Sequence, residues 1–455
     1  MNKANYGLPT AITMLIGIVV GSGIFFKADD VLRLSGGDLG LGIILFALAA
    51  LNIIFGCLAL TEMAGRSDIK GGLVGYYESF ISPKAGVGFG WFQVLVYFPT
   101  INAIVAWVGS IYICSFWGIE ASLAEQVGLA VITLTLLFLI NTFSLRLGGY
   151  LQNLTVVIKL IPLLIIGGVG IWQAMTVGLP ATPTMNVGLE VGGGLAFLGA
   201  LAPIAFSYDG WQISLSISTE IKNPKRNMPL ALVIAPVCIL LIYVAFMIGM
   251  TSLIGADQVI ALGNDAVTYA SEILFGAVGS KIMLFLVIIA VYGVVNGVTL
   301  GYIRMPEAMA SKSMFPNSQE VGHINPRFKL SMRSAFIAWA LSMFWLAMHY
   351  VVTEYGFLAN SDISEISIVF GYVFYTWLYL TVFRMYRRGE VKSTFKGLIC
   401  PLLGTLGSLF ILFASVYSNP LYAFMFFVFC MLVAWLGFHY YEKHQQAYID
   451  PAAQN

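Results

Sequence analysis

The sequence predicts an all-α integral membrane protein with twelve transmembrane helices. Of its 455 residues, 59% are hydrophobic and 10% are charged, whereas an ordinary soluble domain carries about 25% charged residues. The apolar residues also occur in windows of about 20, the length at which a helix crosses a bilayer. The formal net charge is +1, which gives no indication of a nucleic-acid partner. The lipid bilayer is therefore the expected surroundings of this chain.

The predicted spans follow one another with short connections. They cover residues 8–31, 40–63, 86–117, 121–143, 152–175, 192–219, 230–253, 275–309, 333–352, 363–383, 397–417 and 420–440. The third and the eighth are long enough to tilt or to extend beyond the bilayer. The remaining polar segments are too short for a soluble domain, so residues 1–455 are predicted to form a single domain.

The positive charges predict the orientation. Of 23 Lys and Arg residues, Lys27, Arg33 and Lys281 fall on one side, Lys159 falls inside a span, and the others fall on the opposite side. Because Lys and Arg are enriched in cytoplasmic connections, we expect both termini in the cytoplasm. The expected location is the inner, or plasma, membrane of the cell.

Two segments of small residues interrupt predicted spans, namely Gly21-Ser22-Gly23 and Ser207-Tyr208-Asp209-Gly210. Unwound backbone at this depth is tolerated only where it is buried in protein or lines a cavity. A single triplet of small residues is more often a close helix-packing contact. Matched breaks in the two halves of a chain are instead typical of transporters with inverted repeats and a binding site at the midplane. The repeats are assigned to residues 8–175 and 192–383, followed by two helices at 397–440.

The chemistry of the two breaks suits a zwitterion. The amides that begin the half-helix at Gly23 lack intrahelical partners and lie at the positive end of the helix dipole, where a carboxylate binds. Ser22 adds a hydroxyl donor. Carbonyl groups freed near Val19, Phe206 and Asp209 are acceptors for an ammonium group. One ligand that carries both charges satisfies both ends.

Three segments of this sequence resemble a known family. They are Gly21-Ser22-Gly23-Ile24-Phe25, Phe206-Ser207-Tyr208-Asp209-Gly210-Trp211 and Glu220-Ile221-Lys222-Asn223-Pro224-Lys225-Arg226-Asn227-Met228-Pro229. They are similar to the amino acid, polyamine and organocation (APC) transporter superfamily, and in particular to its L-amino acid transporter branch. The resemblance implies a LeuT-like fold of two inverted five-helix repeats with helices 1 and 6 broken. It also implies sodium-independent transport and, frequently, one-for-one exchange of amino acids.

The resemblance also implies a set of binding residues. Ser22 and Gly23 would bind the α-carboxylate, the carbonyls of Val19, Phe206 and Asp209 would bind the α-amino group, and the Phe206 ring would close over the substrate. Gly21 and Ser207 belong to the same two breaks. For side-chain selectivity, the candidates on helices 3, 6 and 10 are Asn102, Phe206 and Tyr375.

Asp209 departs from members of the family that have a second glycine at this position. Its carboxylate could face the pocket, a water-filled vestibule or a helix partner, so its carbonyl is preferred as the functional atom. A cationic substrate would require a counter-charge in the pocket. No other acidic side chain clearly meets that requirement, which favours small neutral L-amino acids.

Lys159 is the one charge predicted inside a span. An ionisable side chain at the bilayer centre costs about 2.5–3.5 kcal/mol on insertion scales and indicates function by default. The resemblance places Lys159 where sodium-coupled relatives hold a cation between helices 1 and 8, so its ammonium would replace sodium and brace the backbone near Gly21. Two alternatives stay open, a proton carrier and a packing role. Tyr243 and Asn296 are candidate hydrogen-bond partners.

Other residue types point away from enzymes and cofactors. The five cysteines lie in apolar runs and predict no disulfide framework, and the four histidines lack metal-ligand spacing. No metal, cofactor or catalytic activity is expected. Light subunits of the family carry a cysteine between helices 3 and 4, whereas residues 117–123 have none, so no disulfide-linked heavy subunit is expected. The main rival interpretation is a proton-coupled amino acid symporter of the same fold.

Overall fold

The computed structural model describes residues 7–64, 66, 72–178, 195–212, 221–358, 361–444 and 446. Over these residues the chain is helical and forms no strand. The helices are α1 (Leu8–Val19), α2 (Gly23–Leu34), α3 (Leu39–Ala64), α4 (Gly72–Phe80), α5 (Pro83–Phe92), α6 (Phe98–Trp117), α7 (Leu123–Phe143), α8 (Leu145–Ile158), α9 (Leu160–Val177), α10 (Leu201–Ser207), α11 (Pro224–Ile254), α12 (Ala256–Leu262), α13 (Ala266–Tyr302), α14 (Met305–Ala310), α15 (Ser318–Val321), α16 (Met332–Glu354), α17 (Ile363–Arg387), α18 (Cys400–Ser418) and α19 (Pro420–His444).

The fold is that of a polytopic membrane protein. Among the described residues, ten helical segments are long and apolar enough to cross a membrane, and α1 and α2 together make an eleventh, bent by 60°. The sixth predicted span, residues 192–219, is described only at 195–212, where the chain forms a short apolar helix, Phe197–Ser207. The rest of that span lies outside the described residues, so the number twelve stays a prediction.

Several predicted spans contain a break in the regular α-helix. The third predicted span is one of them. Helices α5 and α6 are joined by a π-helical turn, Gln93–Tyr97. Pro99 accounts for this turn, because a proline has no N–H and its ring clashes with the carbonyl four residues earlier. That carbonyl, on Leu95, accepts a hydrogen bond of 2.7 Å from the Trp345 indole. The freed polar group is thus satisfied inside the bundle.

Other interruptions shorten or extend the predicted segments. The predicted fifth span is two helices, α8 and α9, that meet at Lys159. The predicted eighth span begins near a kink at Gly276, whose φ of 67° is open to glycine and strained for other residues. Helix α13 continues from this kink to Tyr302.

Small residues allow the central helices to approach closely. Helix α11 packs on α9, α3 and α1. At the crossing of α9 and α11, a Cβ atom added to Gly170 would lie 2.1 Å from the Cα of Gly249. Glycine therefore permits direct backbone contact between two helices, as is common inside membranes. Helix α11 also packs on α1, the helix that leads into the first break.

Candidate functional site

The first break lies where α1 ends at Val19 and α2 begins at Gly23. Both glycines of the break are required by close neighbours. A Cβ atom on Gly23 would lie 2.7 Å from the Cα of Ser207, and a Cβ atom on Gly21 would lie 2.5 Å from Cγ2 of Val294. The bare backbone of the break therefore touches α10 on one side and α13 on the other.

The second break follows α10, which ends at Ser207. The chain then turns through Gly210, whose φ of 96° favours glycine. A Cβ atom on Gly210 would lie 3.1 Å from Cγ2 of Ile18 in α1. The two breaks thus lie directly against each other, with Gly23 at Ser207 and Gly210 at Ile18.

A cavity of about 70 Å³, measured as the space open to the centre of a water molecule, lies between the breaks. Since one such water needs roughly 10–15 Å³ of this space, the cavity holds several waters or a small solute. Its walls come from the first break (Ile18, Val19, Gly21, Ser22, Gly23), the second break (Phe206, Asp209, Gly210), the start of α6 and the turn before it (Tyr97, Phe98, Ile101, Val105) and α13 (Val294, Val298).

The cavity collects part of the predicted binding set. Six of the residues predicted to bind substrate line it, namely Val19, Gly21, Ser22, Gly23, Phe206 and Asp209. The first amides of a helix lack intrahelical partners. In α2 the amide of Phe25 donates to the carbonyl of Ser22 at 2.9 Å, and Ser22 is buried there. Phe206 packs edge-on against Phe26, with ring centroids 5.2 Å apart. The residues proposed to donate to a carboxylate and to accept from an ammonium group therefore line the same cavity.

Three other predicted residues lie outside the cavity lining. The Ser207 hydroxyl donates to the carbonyl of Pro203 at 2.9 Å. Asn102 turns its amide oxygen towards Thr299, whose hydroxyl donates to it at 3.4 Å. Tyr375 packs edge-on against Trp211, with ring centroids 5.1 Å apart. Ser207 thus bonds within its own helix, Asn102 contacts α13, and Tyr375 contacts the segment after the second break.

The carboxylate of Asp209 bonds to a neighbouring part of the helix bundle, which was one of the three environments expected for it. Its Oδ2 accepts a hydrogen bond of 2.5 Å from the Tyr97 hydroxyl, and its Oδ1 accepts one of 3.4 Å from Gln212. Gln212 also donates to the Tyr97 hydroxyl oxygen. Sequence reasoning missed Tyr97, although Pro99 two residues later signals the irregular turn that carries it.

Lys159 is buried, with 2% of its surface exposed, and its ammonium donates to the carbonyl of Gly17. Gly17 belongs to the last turn of α1, where carbonyls lack intrahelical partners and a cation is favoured by the helix dipole. No carboxylate pairs with Lys159 in the described part of the chain. The lysine therefore caps the half-helix that leads into the first break.

The two candidate partners of Lys159 form other hydrogen bonds. The Tyr243 hydroxyl lies 2.7 Å from the carbonyl oxygen of Ser207 and 3.5 Å from that of Val19. Asn296 donates to the carbonyl of Gly148 at 3.0 Å and accepts from Asn141 at 2.9 Å. Tyr243 thus joins the ends of both half-helices, while Asn296 links α13 to α7 and α8.

Lys159 is not the only buried cation among the described residues. Lys27, which the charge pattern assigns to the outer end of the first span, is 3% exposed. Its ammonium pairs with Glu365, with Asp362 at 2.8 Å and with Asp30 at 3.5 Å. The 60° bend at the break explains the difference, because it keeps α2 inside the bundle.

This buried ion cluster (Lys27, Asp30, Asp362 and Glu365) adjoins the cavity. It joins α2 to the N-terminal end of α17, where Asp362 also caps the helix by accepting from the backbone N–H groups of Ser364 and Glu365. The ammonium of Lys27 lies 5.7 Å from the centre of the Phe206 ring, within the range of a cation–π contact. Phe206, which lines the cavity, is therefore in contact with the ion cluster through Lys27.

A cavity between two helix breaks, inside a bundle of membrane-spanning helices, is typical of a solute transporter. The amino acid permease family matches residues 6–438. The chain belongs to this family, which is part of the APC superfamily. The proteins of this family are transporters and not enzymes.

Curated relatives cover nearly the whole chain. The serine/threonine exchanger SteT of Bacillus subtilis (strain 168) is 28% identical over 92% of this chain and 92% of its own length. The human b(0,+)-type amino acid transporter 1 is 26% identical over 95% of this chain and 88% of its own. The mouse large neutral amino acids transporter small subunit 2 is 25% identical over 92% of this chain and 77% of its own. All three are amino acid transporters by name.

Proposed function

We propose that this protein is a sodium-independent exchanger of small neutral L-amino acids. The observation that carries the proposal is the cavity, where Ser22 and Gly23 at the start of α2 face the carbonyl end of α1 and the ring of Phe206. The amides would bind the α-carboxylate, and the carbonyls of Val19, Phe206 and Asp209 would bind the α-amino group. The name of SteT, a serine/threonine exchanger, supports exchange of small substrates.

The proposal includes the architecture that the family implies. Twelve spans would form two inverted five-helix repeats, residues 8–175 and 192–383, with two further helices at 397–440. The protein would lie in the inner, or plasma, membrane with both termini in the cytoplasm, as the positive charges indicate.

The small neutral substrate class is supported by the walls of the cavity. Its volume is about 70 Å³ and most of its lining is apolar. The single carboxylate in this lining, that of Asp209, already accepts hydrogen bonds from Tyr97 and Gln212. A cationic side chain would have to compete with both donors.

We also propose that the transporter works without a disulfide-linked heavy subunit and without a cofactor. Residues 117–123 contain no cysteine. The nearest candidate, Cys114, is buried in α6 at 8% exposure. A thiol in that position is a poor partner for an intermolecular disulfide, because it must be exposed to meet another chain.

Counterflow in sealed proteoliposomes tests the exchange mechanism. We expect rapid uptake of labelled serine or alanine into vesicles preloaded with unlabelled amino acid, and little uptake into empty vesicles. Replacing sodium with choline should leave both rates unchanged. A strict sodium requirement, or equal uptake into empty and preloaded vesicles, would contradict the proposal.

Competition experiments test the carboxylate site. A methyl ester or a decarboxylated amine of a good substrate should fail to inhibit uptake, because it lacks the anion that the start of α2 attracts. The matched control is the parent amino acid, which should compete fully. Equal competition by the amine would show that Ser22 and Gly23 do not bind a carboxylate.

A proton-coupled symporter is the second candidate. Lys159 would be its proton carrier, because it is buried near the first break and, unlike Lys27, pairs with no carboxylate of the described residues. As a fixed brace, Lys159 satisfies the carbonyl of Gly17. Lys159→Ala would leave this carbonyl unpaired at a cost of about 1–3 kcal/mol, so we expect exchange to fall at every pH. If acid outside drives accumulation into empty vesicles and Lys159→Ala abolishes it, the symporter is correct.

A further inference from the structure

A groove on the outer surface of the bundle, between α7 and α16, has no part in the transport cavity. Its volume is about 280 Å³, and it is lined by Thr135, Phe138, Leu139, Thr142, Phe143, Met332, Ala335, Phe336 and Trp339. The indole N–H of Trp339 donates to the Thr135 hydroxyl at 3.1 Å. Because that donor is already satisfied and most of the lining is apolar, the groove suits an apolar ligand.

The groove opens on a lipid-facing surface. Helix α7 exposes Ile132 and Leu136, and α16 exposes Phe336, each with more than half of its surface accessible. In a membrane bundle, apolar side chains exposed on this scale contact lipid tails. An acyl chain can therefore enter the groove directly from the bilayer.

One end of the groove leads to positive charge. The ring of Phe143, at this end, lies edge-on to the ring of Phe328 with centroids 5.1 Å apart. The guanidinium of Arg327 lies 5.3 Å from the centre of the Phe328 ring. Lys329 is exposed in the same loop. A continuous path of contacts thus joins the apolar groove to Arg327.

These two cations are available to an anion. Neither Arg327 nor Lys329 forms a salt bridge with a carboxylate of the described residues. In contrast, the nearby Arg333 pairs with Glu320. An arginine guanidinium binds phosphate oxygens in a bidentate geometry, and basic pockets between membrane helices bind anionic lipid headgroups.

We propose that the groove and the loop at 327–329 form a binding site for an anionic phospholipid. One acyl chain would lie in the groove against Trp339, and the phosphate would lie at Arg327 and Lys329. A neutral phospholipid could fill the same groove, but its headgroup carries no net charge to complement the two cations. A second copy of this chain would need an acidic surface to complement them.

Trp339 provides the measurement. The protein is placed in phosphatidylcholine nanodiscs that contain a small mole fraction of phospholipid with brominated acyl chains, which quench tryptophan on contact. The Trp339→Phe variant gives the signal of the other tryptophans for subtraction. We expect brominated phosphatidylglycerol to quench Trp339 more strongly than brominated phosphatidylcholine does at the same mole fraction.

Charge-neutral variants separate the headgroup from the groove. Arg327→Gln with Lys329→Gln should lower the preference for phosphatidylglycerol by about fivefold for each cation removed. The matched control, Arg387→Gln with Arg388→Gln, removes the same charge from exposed residues at the end of α17 and should keep the preference.

Three outcomes would overturn the proposal. The first is equal quenching of Trp339 by both lipids in the parent protein. The second is a preference that persists in the Arg327 and Lys329 double variant. The third is the absence of quenching by either lipid, which would indicate that protein, such as a second copy of the chain, covers this face. None of these outcomes bears on amino acid exchange, which counterflow measures separately.

Discussion

Replacing Gly23 with alanine should reduce exchange by about 5- to 150-fold. The added Cβ atom would lie 2.7 Å from the Cα of Ser207, and this contact is with backbone that cannot rotate away. Forcing one extra carbon into such a site costs about 1–3 kcal/mol. The displacement would separate the two helix breaks that together form the cavity. The initial rate of counterflow in proteoliposomes measures the loss.

Gly128→Ala is the matched control for this substitution. Gly128 lies in α7, and a Cβ atom there would meet nothing within 4 Å. The control should exchange at the parental rate, and both variants should elute as monodisperse protein from a sizing column. A Gly23→Ala variant that exchanges as fast as the parent would show that the contact between the breaks is not required.

Removing the charge of Lys27 should strongly destabilise the protein. Lys27→Met keeps most of the side-chain volume but leaves Asp362 and Glu365 buried without their cation. Breaking a buried ion pair on one side typically costs about 3–5 kcal/mol. We expect the unfolding temperature in detergent to fall by several degrees.

A second substitution in the ion cluster tests whether the lost stability comes from unpaired charge. Adding Glu365→Gln to Lys27→Met removes one of the uncompensated carboxylates and should restore part of the lost stability. Lys84→Met, which breaks an exposed pair with Glu442, should leave the unfolding temperature unchanged because water screens that pair. If Lys27→Met is as stable as the parent, the cluster does not hold α2 against α17.

The first helix break could be predicted because its physical cause is local. Gly21-Ser22-Gly23 interrupts an apolar span, and lipid tolerates no unpaired backbone, so the residues themselves indicate a cavity. The need of Lys159 for a buried polar partner could be predicted for the same reason, since a charge in an apolar run requires one. Its partner is the carbonyl of Gly17, a backbone atom near the expected contact at Gly21, whereas the two candidate side chains, Tyr243 and Asn296, bond elsewhere.

The side walls of the cavity could not be predicted, because they depend on helix rotation. Residues advance by about 100° around a helix axis, so Ile101 lines the cavity while its neighbour Asn102 faces α13. The π-helical turn before α6 adds a further rotation that the sequence pattern does not display. The ion cluster was missed because Lys27 and Glu365 are far apart in sequence and meet only after α2 bends into the bundle.

The Tyr243 hydroxyl lies near two backbone carbonyls, at the end of α1 and at the end of α10, but at different distances. A tyrosine hydroxyl has a single hydrogen to donate, and its oxygen lies 2.7 Å from the carbonyl of Ser207 but 3.5 Å from that of Val19. The shorter distance favours donation to Ser207, so Val19, which lines the cavity, keeps only the longer contact. If an ammonium group enters with its three hydrogens, Val19 would offer it an acceptor whose contact with the Tyr243 donor is 3.5 Å long.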